Sequence, residues 1–215
     1  MKQFLPDDLY SYIVDNSVYE NKILAEIRAA SQNATYTHML ITQQQAQFLQ
    51  FIVSILQPKK ALEIGVLTGY SLIAIAQKMP KDSIIHGIEL RPEYTSTGTP
   101  IWQKSGVFDK IKITHGDAAN ILPELIKEEA ETYDFIFIDA CKRSYNEYYE
   151  WSLTLLKSGG VMILDNTLLQ GQVVTHLERE RVQIINKLNA KLKEDKRVEI
   201  SLLPLGDGMT LIRKL

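Results

Sequence analysis

Phe135-Ile136-Phe137-Ile138-Asp139 is an unbroken apolar run closed by an acid. Further on, Gly159-Gly160-Val161-Met162-Ile163-Leu164-Asp165-Asn166 repeats the pattern and adds an amide. Both read as strands of an open parallel α/β sheet, in which ligands gather at the carboxyl ends. Two neighbouring strands ending this way bring two carboxylates and an amide oxygen together. Such a set suits Mg²⁺ or Ca²⁺, which take oxygen ligands and keep waters in the remaining positions.

Outward from these runs the chain alternates. Strands are predicted at 61–64, 84–89, 111–115, 135–139 and 161–164, with helices near 71–78, 92–105, 118–129, 145–156 and 176–193. That alternation argues for a doubly wound parallel sheet. The end departs from it. Arg197–Leu203 and Met209–Lys214 are joined by Pro204-Leu205-Gly206-Asp207-Gly208, where Asp-Gly signals a hairpin. The expectation is an α/β fold with a Rossmann-like, mostly parallel seven-stranded sheet, helices on both faces and a C-terminal antiparallel hairpin. Residues 1–57 are expected to be a helical cap on a core formed by 58–215. Ser17–Ala30 has helical spacing. Thr42 and Gln45 form a capping box for a helix that points Phe48, Leu49, Ile52, Val53 and Leu56 inward and stops at Pro58.

Composition narrows the class. At 215 residues, 45% hydrophobic, 23% charged and net charge −2, the chain reads as one soluble domain with no basic signature for nucleic acid. No apolar run reaches the roughly 20 residues of a bilayer span. Residues 1–10 lack the order of a signal peptide. A single cysteine, Cys141, allows no internal disulfide, so the expected compartment is the cytoplasm.

The first strand runs into Glu63-Ile64-Gly65-Val66-Leu67-Thr68-Gly69-Tyr70-Ser71. Glycine here lets the backbone approach a ligand, but the spacing is not the G-x-G-x-x-G of dinucleotide binders. Glu63 at its start suits a cationic ligand better than a phosphate. Glu89 ends the next strand, where an acid accepts hydrogen bonds from ribose hydroxyls. Gly116-Asp117-Ala118 ends the third, where an adenine edge fits. A nucleoside with positive charge and no phosphates describes S-adenosylmethionine. Plainer readings stand beside this: a βα loop for Gly65 and Gly69, a surface acid for Glu89, a helix cap for Asp139 and a plain turn for Asp165-Asn166.

EIGVLTGYS (63–71), HGIEL (86–90), HGDA (115–118), FIFIDACK (135–142), GGVMILDNTLLQGQV (159–173) and LPLGDGMTLIRK (203–214) together resemble the cation-dependent O-methyltransferases, a group that includes caffeoyl-CoA and catechol O-methyltransferase-like enzymes. The resemblance covers roughly 35–215. It implies S-adenosylmethionine as methyl donor, a divalent cation (Mg²⁺, or Ca²⁺ or Mn²⁺), a catechol-like acceptor and a homodimer, with neither nucleic acid nor membrane as partner. It implies cofactor contacts from Ile41, Glu63, Gly65, Val66, Ser71, Glu89, Ala118 and Asp139, metal ligands Asp139, Asp165 and Asn166, and Lys142 as general base. Beside a divalent cation the Lys142 pKa is expected to fall, since a like charge disfavours the ammonium.

Three departures stand out. Cys141 replaces a second acid, Leu90-Arg91 follows Glu89 in place of Asp-Pro, and Leu168-Leu169 stands where the family often has tryptophan. Cys141 is expected to be small and buried. Tyr145, Tyr148 and Tyr149 are read mainly as packing, with a place along the cofactor left open for one of them, and the four histidines show no metal spacing. A nicotinamide-dependent oxidoreductase is opposed by the glycine spacing and the late Asp-Asn. A cofactor-binding protein without catalysis is kept open by Cys141 and Leu168-Leu169.

Overall fold

The computed structural model describes residues 5–32 and 37–215. Residues 1–4 and 33–36 lie outside the described residues, although the expected N-terminal helical region and the reading of the chain's start include them. The chain runs α1 (Asp7–Ser17), α2 (Lys22–Gln32), α3 (Gln43–Leu56), β1 (Lys60–Ile64), α4 (Tyr70–Lys78), β2 (Ile84–Glu89), α5 (Pro92–Trp102), β3 (Ile111–His115), α6 (Ala118–Glu129), β4 (Tyr133–Ile138), α7 (Tyr145–Leu155), β5 (Leu156–Asp165), α8 (Gln172–Thr175), α9 (Glu180–Glu194), β6 (Val198–Leu203) and β7 (Met209–Lys214).

One seven-stranded sheet has the order β3-β2-β1-β4-β5-β7-β6. The first five strands are parallel, and β7 pairs antiparallel with both β5 and β6. The expected Rossmann-like sheet and terminal hairpin are therefore present. Successive residues of a strand face opposite sides. Leu62, Ile64, Ile136 and Ile138 meet Leu122, Tyr149 and Leu188 of α6, α7 and α9. Ala61, Phe135, Phe137 and Ile163 meet Leu49, Ile73 and Trp102 of α3, α4 and α5. Burial on both faces explains the continuous apolar runs.

Several boundaries differ from the sequence expectation. The helix expected over Ser17–Ala30 is two helices. Val18 is extended, and Asn21 Oδ1 accepts the Leu24 N–H at 3.1 Å, starting α2 afresh. Glu20 in the break accepts from Arg28 (2.6 Å), Tyr70 (2.6 Å) and Gln43 (3.1 Å), so the break docks α2 against α3 and α4. In α3 the capping box is present, Leu49 and Val53 are fully buried, and Phe48, Ile52 and Leu56 are half-buried. Helix α9 begins at Glu180 rather than His176, because Gln170 and Gly171 are left-handed and only the short α8 forms before a turn. Strand β5 starts earlier than expected, its register with β4 jumping from Tyr133↔Leu156 to Phe135↔Val161.

Strand order reverses between β1 and β4, so the crevice for a ligand opens at their carboxyl ends. Tyr145 fastens that edge. Its hydroxyl, fully buried, lies 3.1 Å from the Ile138 carbonyl and 3.0 Å from the Asp165 carbonyl, the last residues of β4 and β5. Tyr145→Phe is expected to destabilise the fold by about 1–3 kcal/mol, because buried acceptors lose their donor. Denaturant unfolding of the two proteins checks this.

Candidate active site at the carboxyl edge of the sheet

A cavity of about 830 Å³ opens at that edge. Its volume lies in the range of small-molecule sites. Ile41, Gly65, Val66, Ser71, Glu89, Ala118, Asp139, Lys142 and Asn166 all line it. Glu63 and Asp165 do not; both are fully buried behind its wall.

Gly65 is why the glycine turn and the first acid meet. Its φ is +90°, and a Cβ there would lie 2.3 Å from the Asp139 carbonyl oxygen. Only a residue without a side chain allows that approach. The Asp139 N–H donates to the Ile64 carbonyl at 2.9 Å, extending the parallel ladder to the acid.

Glu89 has a task that its ribose reading did not include. Its Oε2 accepts from the N–H groups of Val66 (2.9 Å) and Leu67 (2.8 Å), and its Oε1 from that of Arg91 (3.0 Å). The carboxylate thus shapes the glycine turn while facing the cavity. Behind the turn, Ser71 Oγ donates to Glu63 Oε1 at 2.6 Å, whereas Glu63 Oε2 is buried without a partner. Burial pushes the Glu63 carboxyl well above its usual range; Ser71 opposes this, and Asp139 and Glu89 reinforce it. Of the strand-end acids, it is Asp117 that caps a helix, accepting the Ala119 N–H at the start of α6.

Asp139 and Asp165 cap no helix. Lys142 Nζ lies 2.7 Å from Asp139 Oδ1, and both side chains are largely buried. Lys142 is only 9% exposed, which rules out a solvated surface lysine. The lowered Lys142 pKa is not what the protein groups alone produce. Burial pulls the ammonium down, but Asp139, Tyr145 and Asp165 outweigh it and hold it above the ordinary lysine range. Asp165 accepts from Gln45 Nε2 at 2.7 Å through Oδ1, while its Oδ2 is buried with no partner. Burial first, and Asp139 second, push the Asp165 carboxyl well up, against the pull of Lys142. Asn166, next in the chain, is left-handed at φ +57° and reaches the wall.

Cys141 is exposed on the cavity wall rather than buried, because it precedes the tight turn Lys142–Ser144 and its side chain caps nothing. Of Tyr145, Tyr148 and Tyr149, it is Tyr148 that lines the cavity. His86 is buried, lies 2.8 Å from Thr114 Oγ1, and has its pKa pushed down to about 4 by burial. Among the described residues no group of three or more His, Cys, Asp or Glu converges as a metal cage.

Sequence reasoning missed Arg181, Tyr94 and Asp207, which also line the cavity. The first two carry no sequence signal. Asp207 was legible only as a turn residue, yet its carboxylate accepts the Gln170 N–H and its carbonyl accepts the Leu168 N–H at 3.0 Å. The terminal hairpin therefore braces the segment that follows Asn166.

The family model described as O-methyltransferase matches residues 14–215. Caffeoyl-CoA O-methyltransferase 1 of Arabidopsis thaliana is 38% identical, covering 97% of this chain and 85% of its own length. The Zea mays enzyme of the same name is 39% identical with the same coverage. Among solved structures, the O-methyltransferase TomG from Streptomyces achromogenes, in complex with SAM, superposes with a TM-score of 0.89 at 25% identity, covering 100% of this chain and 99% of that one. The O-methyltransferase from Bacillus cereus, in complex with SAH, gives 0.88 at 27% identity, with 97% of each chain covered.

Proposed function

Since this chain belongs to the O-methyltransferase family, we propose that it moves a methyl group from S-adenosylmethionine to a hydroxyl of a catechol-like small molecule, assisted by a divalent cation. Membership in that family removes the oxidoreductase reading. The SAM and SAH complexes of TomG and the Bacillus cereus enzyme support the donor. The catechol-like acceptor rests on the relatives that act on caffeoyl-CoA, since a caffeoyl group carries two adjacent phenolic hydroxyls.

The observation that carries the cation is Asp165 Oδ2. A carboxylate oxygen buried without a partner is costly, and a cation removes that cost. Asp139, Asp165 and Asn166 are hard oxygen donors and fit Mg²⁺ or its kin, with the remaining positions left to water or acceptor. When bound, the cation supplies Lewis-acid polarisation of the acceptor hydroxyl. Cys141 is not in this donor set.

The chain's own residues do the rest. Glu89 holds the glycine turn of Gly65 and Val66 in place through the Val66 and Leu67 N–H groups. Ile41, Ser71 and Ala118 complete the walls of the donor pocket, and Glu63, buried behind the wall, fixes the Ser71 hydroxyl. Lys142 Nζ, held at the rim by Asp139, is the acceptor of the hydroxyl proton. It becomes competent once its own ammonium proton has passed to solvent, a loss that a cation neutralising Asp139 would favour.

The proposal includes a homodimer, supported by Phe51 and Ile55, four residues apart on α3 and 61% and 65% exposed. It includes a cytoplasmic setting and no nucleic-acid or membrane partner, supported by the mild net charge of −2 and the single cysteine. Among the described residues no helix is long and apolar enough to cross a membrane.

Methyl transfer to a panel of catechols, a caffeoyl thioester included, read by mass spectrometry with Mg²⁺ and with EDTA, tests the reading. Product that disappears with EDTA is expected. Product indifferent to EDTA overturns the cation, and tight S-adenosylhomocysteine binding with no product from any catechol overturns the acceptor class.

A further inference from the structure

We propose that Gln45 is a positioning residue for Asp165: its carboxamide occupies one carboxylate oxygen and leaves the other as the single oxygen presented to a cation. The inference rests on the cation reading above.

Gln45 is fully buried in the first turn of α3, and its side-chain polar atoms are all used. Oε1 accepts from the Thr42 N–H at 2.9 Å and from the Thr42 hydroxyl at 3.1 Å. Nε2 donates to Asp165 Oδ1 at 2.7 Å. The amide cannot be turned round, because its NH₂ would then face a backbone N–H and its oxygen a carboxylate. Its rotamer is confined as well. A Cβ at Gly206, in the terminal hairpin, would lie 2.3 Å from Gln45 Cδ, so the hairpin backbone closes over the amide. Three parts of the chain thus converge on one carboxylate: the start of α3, the end of β5 and the 204–208 loop. The outcome is asymmetric. Oδ1 is tied to a donor and Oδ2 has none.

The capping box alone does not account for this. A capping box needs an acceptor at its third position and leaves the second side-chain atom free. Here that atom is an N–H aimed at an acid 120 positions later in the chain. Partners that orient a metal ligand in this way are worth about 10- to 100-fold in metal affinity.

Mn²⁺ binding, followed by electron paramagnetic resonance of the free ion, tests the role without turnover. Gln45→Met keeps length and removes the amide; its Mn²⁺ dissociation constant is expected to rise about 10- to 100-fold. Gly206→Ala pushes on the amide from the hairpin side and is expected to act in the same direction. S-adenosylhomocysteine affinity, measured alongside, reports folding. Tyr149→Phe, which loses a hydrogen bond to Asp195 outside the cavity, is the control for lost stability and is expected to bind Mn²⁺ as the parent does. If Gln45→Met does not fold, Gly206→Ala decides. Unchanged Mn²⁺ binding in the folded variants, with binding lost in Asp165→Ala, overturns the role of Gln45 and leaves the cation reading standing. No Mn²⁺ binding in the parent protein overturns both.

Discussion

Asp165→Ala is expected to lower catechol methylation by on the order of 10³-fold, the equivalent of several kcal/mol of lost charge stabilisation. S-adenosylhomocysteine affinity is expected to stay within about threefold. The contrast follows from position. Asp165 is fully buried behind the cavity wall, and its free oxygen has no protein partner to lose. The proposed cofactor walls, Gly65, Val66, Glu89 and Ala118, belong to β1, β2, α6 and the turns beside them, whereas Asp165 closes β5. Stability is expected to fall by about 1–3 kcal/mol, since the buried Gln45 amide loses its acceptor, although burial and Asp139 already work against the Asp165 charge. Product formation with saturating Mg²⁺, paired with calorimetric titration of S-adenosylhomocysteine, separates the two effects. Parental turnover in the variant would remove Asp165 from the cation site.

The second large effect is at Lys142. Lys142→Met is expected to reduce turnover about 10²- to 10⁴-fold, the usual span for a lost general base. It also breaks a largely buried ion pair with Asp139 and is expected to cost about 3 kcal/mol of stability. Lys142→Arg separates base duty from charge. Arginine keeps the pairing with Asp139 but stays protonated throughout the working range. A base role predicts that Lys142→Arg is nearly as slow as Lys142→Met while unfolding close to the parent. Substantial turnover in Lys142→Arg would make the residue a positive charge at the rim, not a proton acceptor.

Much of this was written in local sequence. Apolar runs ending in Asp139 and Asp165 identified the strands, because burial on both faces leaves no alternation to misread. The Asp-Gly hairpin was legible for the same local reason. The break at Val18–Asn21 was not, because apolar spacing continues across it and only the partners of Glu20 hold the chain there. Cys141 was misjudged because its type favours burial while its place beside a tight turn decides exposure. The second bond of Gln45 was invisible for a different reason. The capping box explains the residue completely at short range, so nothing in the sequence asks for a distant partner. Lys142 was read for its type, but its ionisation depends on Asp139 and burial acting together.

The last strand of the fold lies inside the sheet. β7 sits between β5 and β6, pairing Asp165 with Met209. During synthesis, Gln45 leaves the ribosome long before the acid it will hold, and the loop that covers it follows later still. A nascent chain arrested before Met209 has most of its helices and its glycine turn, yet exposes the unpaired edge of β5. The sheet that carries Asp165 is therefore completed only by the last segment of the chain to be made.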